Sequence, residues 1–151
     1  MIAFAAWLGL LALPGCGETP RDVDDVPVSA PGWGSLRTTQ GGMYEVSVRM
    51  IPEKPAVNDL FSLEATVRAD GEPLETATVV LDARMPQHDH GMMTQPKLEP
   101  GDCVPDGPCT HVGGVYTAAG FKFHMGGAWT LSVDVNGPSG TDRATFIYAI
   151  Q

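Results

Sequence analysis

From Met43 to the end of the chain, apolar and polar residues exchange places at a period of two. Tyr44, Val46, Val48 and Met50 alternate with polar neighbours, as a strand with one buried face requires. Pro52 and Pro55 end that run. Phe61, Leu63, Ala65 and Val67 alternate again, with Asp70-Gly71 behind them as a turn signal. Residues 78–83 read as an apolar stretch suited to a central strand. Another strand is expected over residues 112–123, broken at Gly120 by a bulge or bend. Trp129, Leu131, Val133 and Val135 share one face of the next strand. After a turn at Asn136-Gly137-Pro138, Ala144, Phe146, Tyr148 and Ile150 form the last one. No amphipathic helix competes with this pattern. About seven short strands spaced by turns predict an all-β domain over residues 43–151, an antiparallel β-sandwich of immunoglobulin-like size.

The residues ahead of Met43 have a different texture. Residues 2–13 are apolar and uncharged, too short to span a bilayer but suited to the core of a signal peptide. Leu13-Pro14-Gly15-Cys16 follows, in the form of a bacterial lipobox with Cys16 as the residue to be lipidated. Pro14 stands where a small residue is usual, and no Lys or Arg precedes the apolar run. Residues 1–15 are therefore expected to be a lipoprotein signal. Residues 16–42, rich in Gly, Pro, Ser and Asp, are expected to be a flexible tether from the lipidated cysteine. Trp33 is the odd residue in that tether. The expected location is the bacterial cell envelope, lipid-anchored, on the periplasmic or cell-surface side.

Charge narrows the partners. The formal net charge is −9 and the pI about 4.6, which argues against nucleic acid and against peripheral attraction to anionic lipid. Any membrane contact would then run through the lipid on Cys16.

Two cysteines remain, Cys103 and Cys109, separated by Val-Pro-Asp-Gly-Pro. An exported chain keeps disulfides, and the prolines and glycine turn the backbone back on itself. A disulfide closing a small surface loop is expected, contributing about 2 kcal/mol. The rival is a Cys-x5-Cys-x-His metal or redox site with His111, whose spacing matches neither zinc motifs nor Cys-x-x-Cys. With these thiols paired, soft-metal chemistry falls to methionine and histidine.

Those residues are concentrated. Four of the seven methionines (Met85, Met92, Met93, Met125) and three of the four histidines (His88, His90, His124) fall in two short segments. Thioether and imidazole together suit Cu(I), whereas hard cations want oxygen ligands. His88, His90, Met92 and Met125 are the leading candidate ligands, with Met85, Met93 and His124 behind them. Asp89 is a candidate to orient an imidazole. The bland counterpart is that these methionines plug the open end of a sandwich core while the histidines are solvated or bonded to backbone.

Taken in order, the strands and motifs resemble the YtkA-like family of small exported bacterial domains. The resemblance runs through Asn58-Asp59-Leu60-Phe61, Ala77-Thr78-Val79 and Met85-Pro86-x-His88-x-His90-Gly91-Met92. It continues through Gly114-x-Tyr116 and Phe123-His124-Met125-Gly126-Gly127-x-Trp129-x-Leu131. It implies an immunoglobulin-like sandwich, exported or membrane-anchored placement, and an association with copper handling and with assembly or efflux systems. The insert carrying Cys103 and Cys109 departs from the family pattern.

Strand parity decides whether the two soft segments can share a site. A strand between residues 92 and 112 would bring His124 and Met125 to the same end as His88 and His90. Residues 92–98 are the candidate, held to a sheet edge by Pro96. One shared pole is expected, with His88 and His90 two apart on one face of extended backbone. Three functions follow as expectations. The first is a membrane-anchored module that binds copper and delivers it to a protein partner. The second is an immunoglobulin-like interaction or structural lipoprotein without metal. An enzyme ranks last, because the chain carries no Gly-x-Ser-x-Gly, His-Glu-x-x-His, phosphate-loop or dinucleotide motif.

Overall fold

In the computed structural model, residues 36–151 are described and fold as two antiparallel sheets packed face to face. The signal segment, Cys16 and Trp33 lie outside the described residues. The strands are β1 (Arg37–Thr38), β2 (Glu45–Ile51), β3 (Leu60–Ala69), β4 (Glu72–Pro73), β5 (Thr78–Met85) and β6 (His90–Gly91). They continue as β7 (Lys97–Leu98), β8 (Asp102–Cys103), β9 (Cys109–Thr110), β10 (Val115–Lys122), β11 (Gly127–Gly137) and β12 (Gly140–Ile150). One sheet runs β1-β2-β3-β10-β7, with β4 against β3, and the other β12-β11-β5-β6. Six strands of seven residues or more carry the sandwich, and the two-residue strands trim its edges.

The period of two is the reason the sheets close. Val46, Leu63, Ala65, Val67, Tyr116, Trp129, Val133 and Val135 are each fully buried, one from every second position. Gly120 takes φ +93, and the register of β10 against β3 slips between Ala119 and Phe121, so the expected bulge is present. β5 departs from expectation. Its burial alternates strictly, Val80 is 53% exposed, and among the described residues only Arg84 and Met85 have a partner on its outer side, β6. It is a one-faced strand near a sheet edge, not a central one buried on both faces. The paired structure also begins ahead of Met43, since β1 pairs with β2 through Arg37–Val46 and Thr38–Glu45.

The insert forms its own ribbon, β8 with β9, closed by a Cys103–Cys109 disulfide. That pairing removes the thiols from the rival metal or redox site. His111 instead stacks on Tyr116 at 4.2 Å and donates its backbone N–H to Glu75 O at 2.8 Å. Glu75 Oε1 accepts from Gly113 N at 2.8 Å, so Glu75 seats the insert from two sides.

β2, β5, β10 and β12 end, and β3 and β11 begin, at one pole of the sandwich. The opposite pole is fastened by Asp142. Its carboxylate accepts from Gly41 N (2.9 Å), Met43 N (3.2 Å) and Arg143 N (2.8 Å), tying the β1–β2 turn to β12. Bonds from the Thr39 side chain first, then from these amides, hold its pKa down to about 2. A carboxyl depressed in the folded state contributes stability above its unfolded pKa of about 3.9 and loses it as pH falls toward 2. Asp142→Asn should therefore lower the melting temperature at neutral pH and flatten its fall between pH 4 and pH 2, measured by thermal unfolding across that range.

Candidate functional site

β5 delivers its last residue, Met85, inward, because alternation along the strand gives that position to the core. Met85 is 1% exposed. Its methyl lies where a Cβ on Gly127 would sit, and Gly127 holds φ +126, so glycine is required at the start of β11. The chain then reverses over four residues. Pro86–His88 is a 3₁₀ turn, Asp89 takes the left-handed conformation (φ 50), and β6 returns with Met85 facing His90.

That turn changes how the first two histidines meet. They do not share a face of extended backbone. His88 ends the 3₁₀ turn and His90 starts β6, and their rings lie 5.8 Å apart, nearly parallel. Asp89 donates its backbone N–H to Pro86 O at 3.2 Å. No hydrogen bond joins its carboxylate to a histidine among the described residues. His90 Nδ1 lies 3.3 Å from Gly91 O instead.

The second segment closes on the first from the β10–β11 connection. The His124 ring stands 4.8 Å from His90 and 5.3 Å from Trp129, edge-on to the indole. Trp129 is fully buried and touches Phe123 at 4.9 Å, and Phe123 touches Phe61 at 4.7 Å. His90 also meets the Trp129 indole edge-on at 6.2 Å, so Trp129, His124 and His90 form a triangular ring cluster over the core, with exposed His88 on its outer side. Trp129 Nε1 donates to Met125 O at 3.0 Å and so fixes the turn that carries both His124 and Met125. Asn58 N donates to Phe123 O at 2.7 Å and braces the same turn from the loop before β3.

The two soft segments therefore meet at one pole. β7, pairing with β10 through Lys97–Ala119 and Leu98–Ala118, is the short edge strand that corrects the parity. The candidate residues are not equivalent within the site. Met92 and Met125 are partly buried against the core, Met93 is 82% exposed, and Met85 belongs to the core itself. His124 is more central than its place in the sequence suggested, and its Nδ1 is buried with no hydrogen-bond partner among the described residues. A buried, unbonded ring nitrogen costs free energy unless a ligand or hydrogen-bond partner satisfies it. Among the described residues no three His, Cys, Asp or Glu side chains converge as a ready metal site. Three imidazoles, those of His88, His90 and His124, and the thioethers of the same two segments are the donors the pole offers, a soft set.

The profile of YtkA-like domains matches residues 38–134, from β1 through most of β11. The chain belongs to the YtkA-like family. A solved structure of a DUF4426 family protein from Pseudomonas aeruginosa PAO1 shares the fold. It superposes with a TM-score of 0.51 at 12% identity, covering 77% of this chain and 96% of that one. No curated protein sequence matches the chain.

Within this YtkA-like domain, Trp129 and Phe123 are site residues absent from the candidate set read from the sequence. The Met-Gly-x-x-Trp string held the signal, because a tryptophan four residues after Met125 reaches back to that residue's carbonyl. Trp129→Phe would leave the Met125 carbonyl without its donor. It should lower unfolding stability by about 1–3 kcal/mol in chemical denaturation, while the strand content seen by far-UV circular dichroism stays the same.

Proposed function

We propose that this YtkA-like protein is a lipid-anchored module of the bacterial cell envelope that takes up Cu(I) as cargo at the histidine–methionine pole and passes it to a protein partner. One observation carries the proposal. Imidazoles from two separate segments, His90 and His124, lie 4.8 Å apart, Met92 and Met125 follow them closely in the chain, and His124 presents a buried nitrogen with no partner among the described residues. His90, His124, Met92 and Met125 are the residues that would hold the ion, with His88 at the rim as the point of entry and exit. Soft neutral donors favour Cu(I) over Mg²⁺ or Ca²⁺, and thioethers persist in an oxidising compartment where thiols pair, as Cys103 and Cys109 do. Exposed His88 and Met93 give a partner access to the ligands. The module is a carrier and not an enzyme, and its membrane contact is the lipid on Cys16. The sequence Leu13-Pro14-Gly15-Cys16 supports that anchor.

A second reading has its own support. The histidine rings lie ring against ring, 30° to 38° between planes, as they would in a purely structural cap on Trp129. In that case the domain is an interaction or structural lipoprotein without metal.

Anaerobic titration of the full chain with Cu(I) against a chromogenic chelator separates the two. The copper reading expects one tightly held equivalent, quenching of Trp129 emission on binding, and roughly 100-fold weaker binding in His90→Ala/His124→Ala, with each tenfold worth about 1.4 kcal/mol. Met92→Ala/Met125→Ala should weaken Cu(I) while sparing folding. Failure to compete with the chelator, or equal affinity in the histidine double variant, would sink the copper reading and leave the cap.

A further inference from the structure

The ribbon of β8 and β9 is a sheet of its own, separate from both layers of the sandwich. Among the described residues, the insert's hydrogen bonds to the body lie outside the ring that the disulfide closes. On one side Glu99 donates its N–H to Thr117 O at 2.7 Å. On the other, His111 N donates to Glu75 O and Gly113 N to Glu75 Oε1, each at 2.8 Å. A Cβ on Gly101 would collide with Thr110 O, so the two legs of the insert already meet below the cysteines without help from sulfur. Opening the S–S bond therefore frees residues 103–109 and leaves these attachments in place.

Every residue of that ring, from Cys103 to Cys109, is exposed. A thiolate has to reach one sulfur in line with the S–S bond, so exposed disulfides exchange where buried ones resist. Charge then discriminates among the thiolates that arrive. Residues 98–121 carry Glu99, Asp102 and Asp106 and no lysine or arginine. Asp102 borders the ring and Asp106 sits within it, so a reductant that brings extra negative charge is repelled. Val104, Pro105 and Pro108 put apolar surface between the two cysteines, which favours contact with an apolar or cationic reductant.

We propose that Cys103–Cys109 is a thiol–disulfide exchange site, opened in the folded protein by a dithiol of neutral or positive charge while the sandwich stays intact. One thiolate of the dithiol attacks a ring sulfur and forms a mixed disulfide. The S–S electron pair passes to the other cysteine, which takes up a proton. The second thiolate then attacks the reductant's own sulfur in the mixed disulfide, and the remaining cysteine leaves and is protonated in turn. The protein disulfide is reduced to two thiols, the dithiol is oxidised to a disulfide, and both protons come from the dithiol. His111, stacked on Tyr116, takes no part. The exchange is independent of metal binding at the opposite pole.

The test treats the folded full chain with dithiothreitol, without denaturant, and traps freed thiols with iodoacetamide. Peptide mass reads Cys103 and Cys109 separately from Cys16. Both should label completely, while amide exchange at Val67 and Leu131, deep in the sheets, stays unchanged. Labelling only after denaturant is added, or lost protection at Val67 and Leu131 on reduction, would overturn the proposal. Charge selection is read with two monothiols at low ionic strength, cationic cysteamine and anionic glutathione, with rates expressed per thiolate. Cysteamine should react about tenfold faster, and the gap should close in about 1 M salt and in Asp102→Asn/Asp106→Asn. Equal rates in the wild type at low salt would sink the assigned class of reductant.

Discussion

One buried indole organises the functional end of this protein. Trp129 lies on the inward face of β11, fully buried, with Phe123 against it on one side and His124 edge-on to it on the other. Its single polar atom needs a partner once it leaves water, and Met125 O provides it at 3.0 Å. That bond fixes the tight connection between β10 and β11. Because the connection carries His124 and Met125, the demand of one N–H for an acceptor also positions two of the candidate ligands. His90 packs against both His124, at 4.8 Å, and Trp129, at 6.2 Å, so the polar rim of the pole rests on the buried indole.

The two ends of the sandwich are built differently. The histidine pole is held by aromatic packing and by a glycine, Gly127, whose missing Cβ leaves room for the Met85 methyl. The opposite end relies on polar fastening: the Asp142 carboxylate over the β1–β2 turn, Tyr44 donating to Gly140 O at 2.8 Å, and Tyr116 donating to Leu74 O at 2.8 Å. Burial raises the Tyr116 pKa, so that phenol stays a donor. The disulfide ribbon sits at this end, away from the soft residues. The disulfide and the Asp142 carboxylate thus fasten the end opposite the pole where the histidines and methionines are concentrated.

Alternation made most of the fold legible. The runs at Tyr44, Phe61, Trp129 and Ala144 each presented one buried face, and the turn and bulge signals at Asp70-Gly71 and Gly120 marked real breaks. β5 was harder to place, because a dense apolar run looks the same whether both faces are buried or one meets solvent. The start of the paired region was also hidden. Arg37 and Thr38 have no apolar period of their own and become strand only by pairing with β2. In the site, the residue types were visible but their order of importance was not. His124 appeared secondary from its place beside a turn, and Met85 appeared available until alternation turned it into the core.

The sequence by itself determined the chemistry and the local geometry. Which residues alternate, where the chain turns, and that methionine and histidine crowd into two segments are properties of neighbours along the chain. The tertiary structure decided what those segments do to each other. His90 and His124 are 34 residues apart in the sequence, and no local pattern relates them. They meet because β5 and β11 pair antiparallel in one sheet while β10, in the other, ends beside the start of β11. The stranded Nδ1 of His124 likewise has no signature in sequence, because burial is a property of the assembled pole and not of the residue.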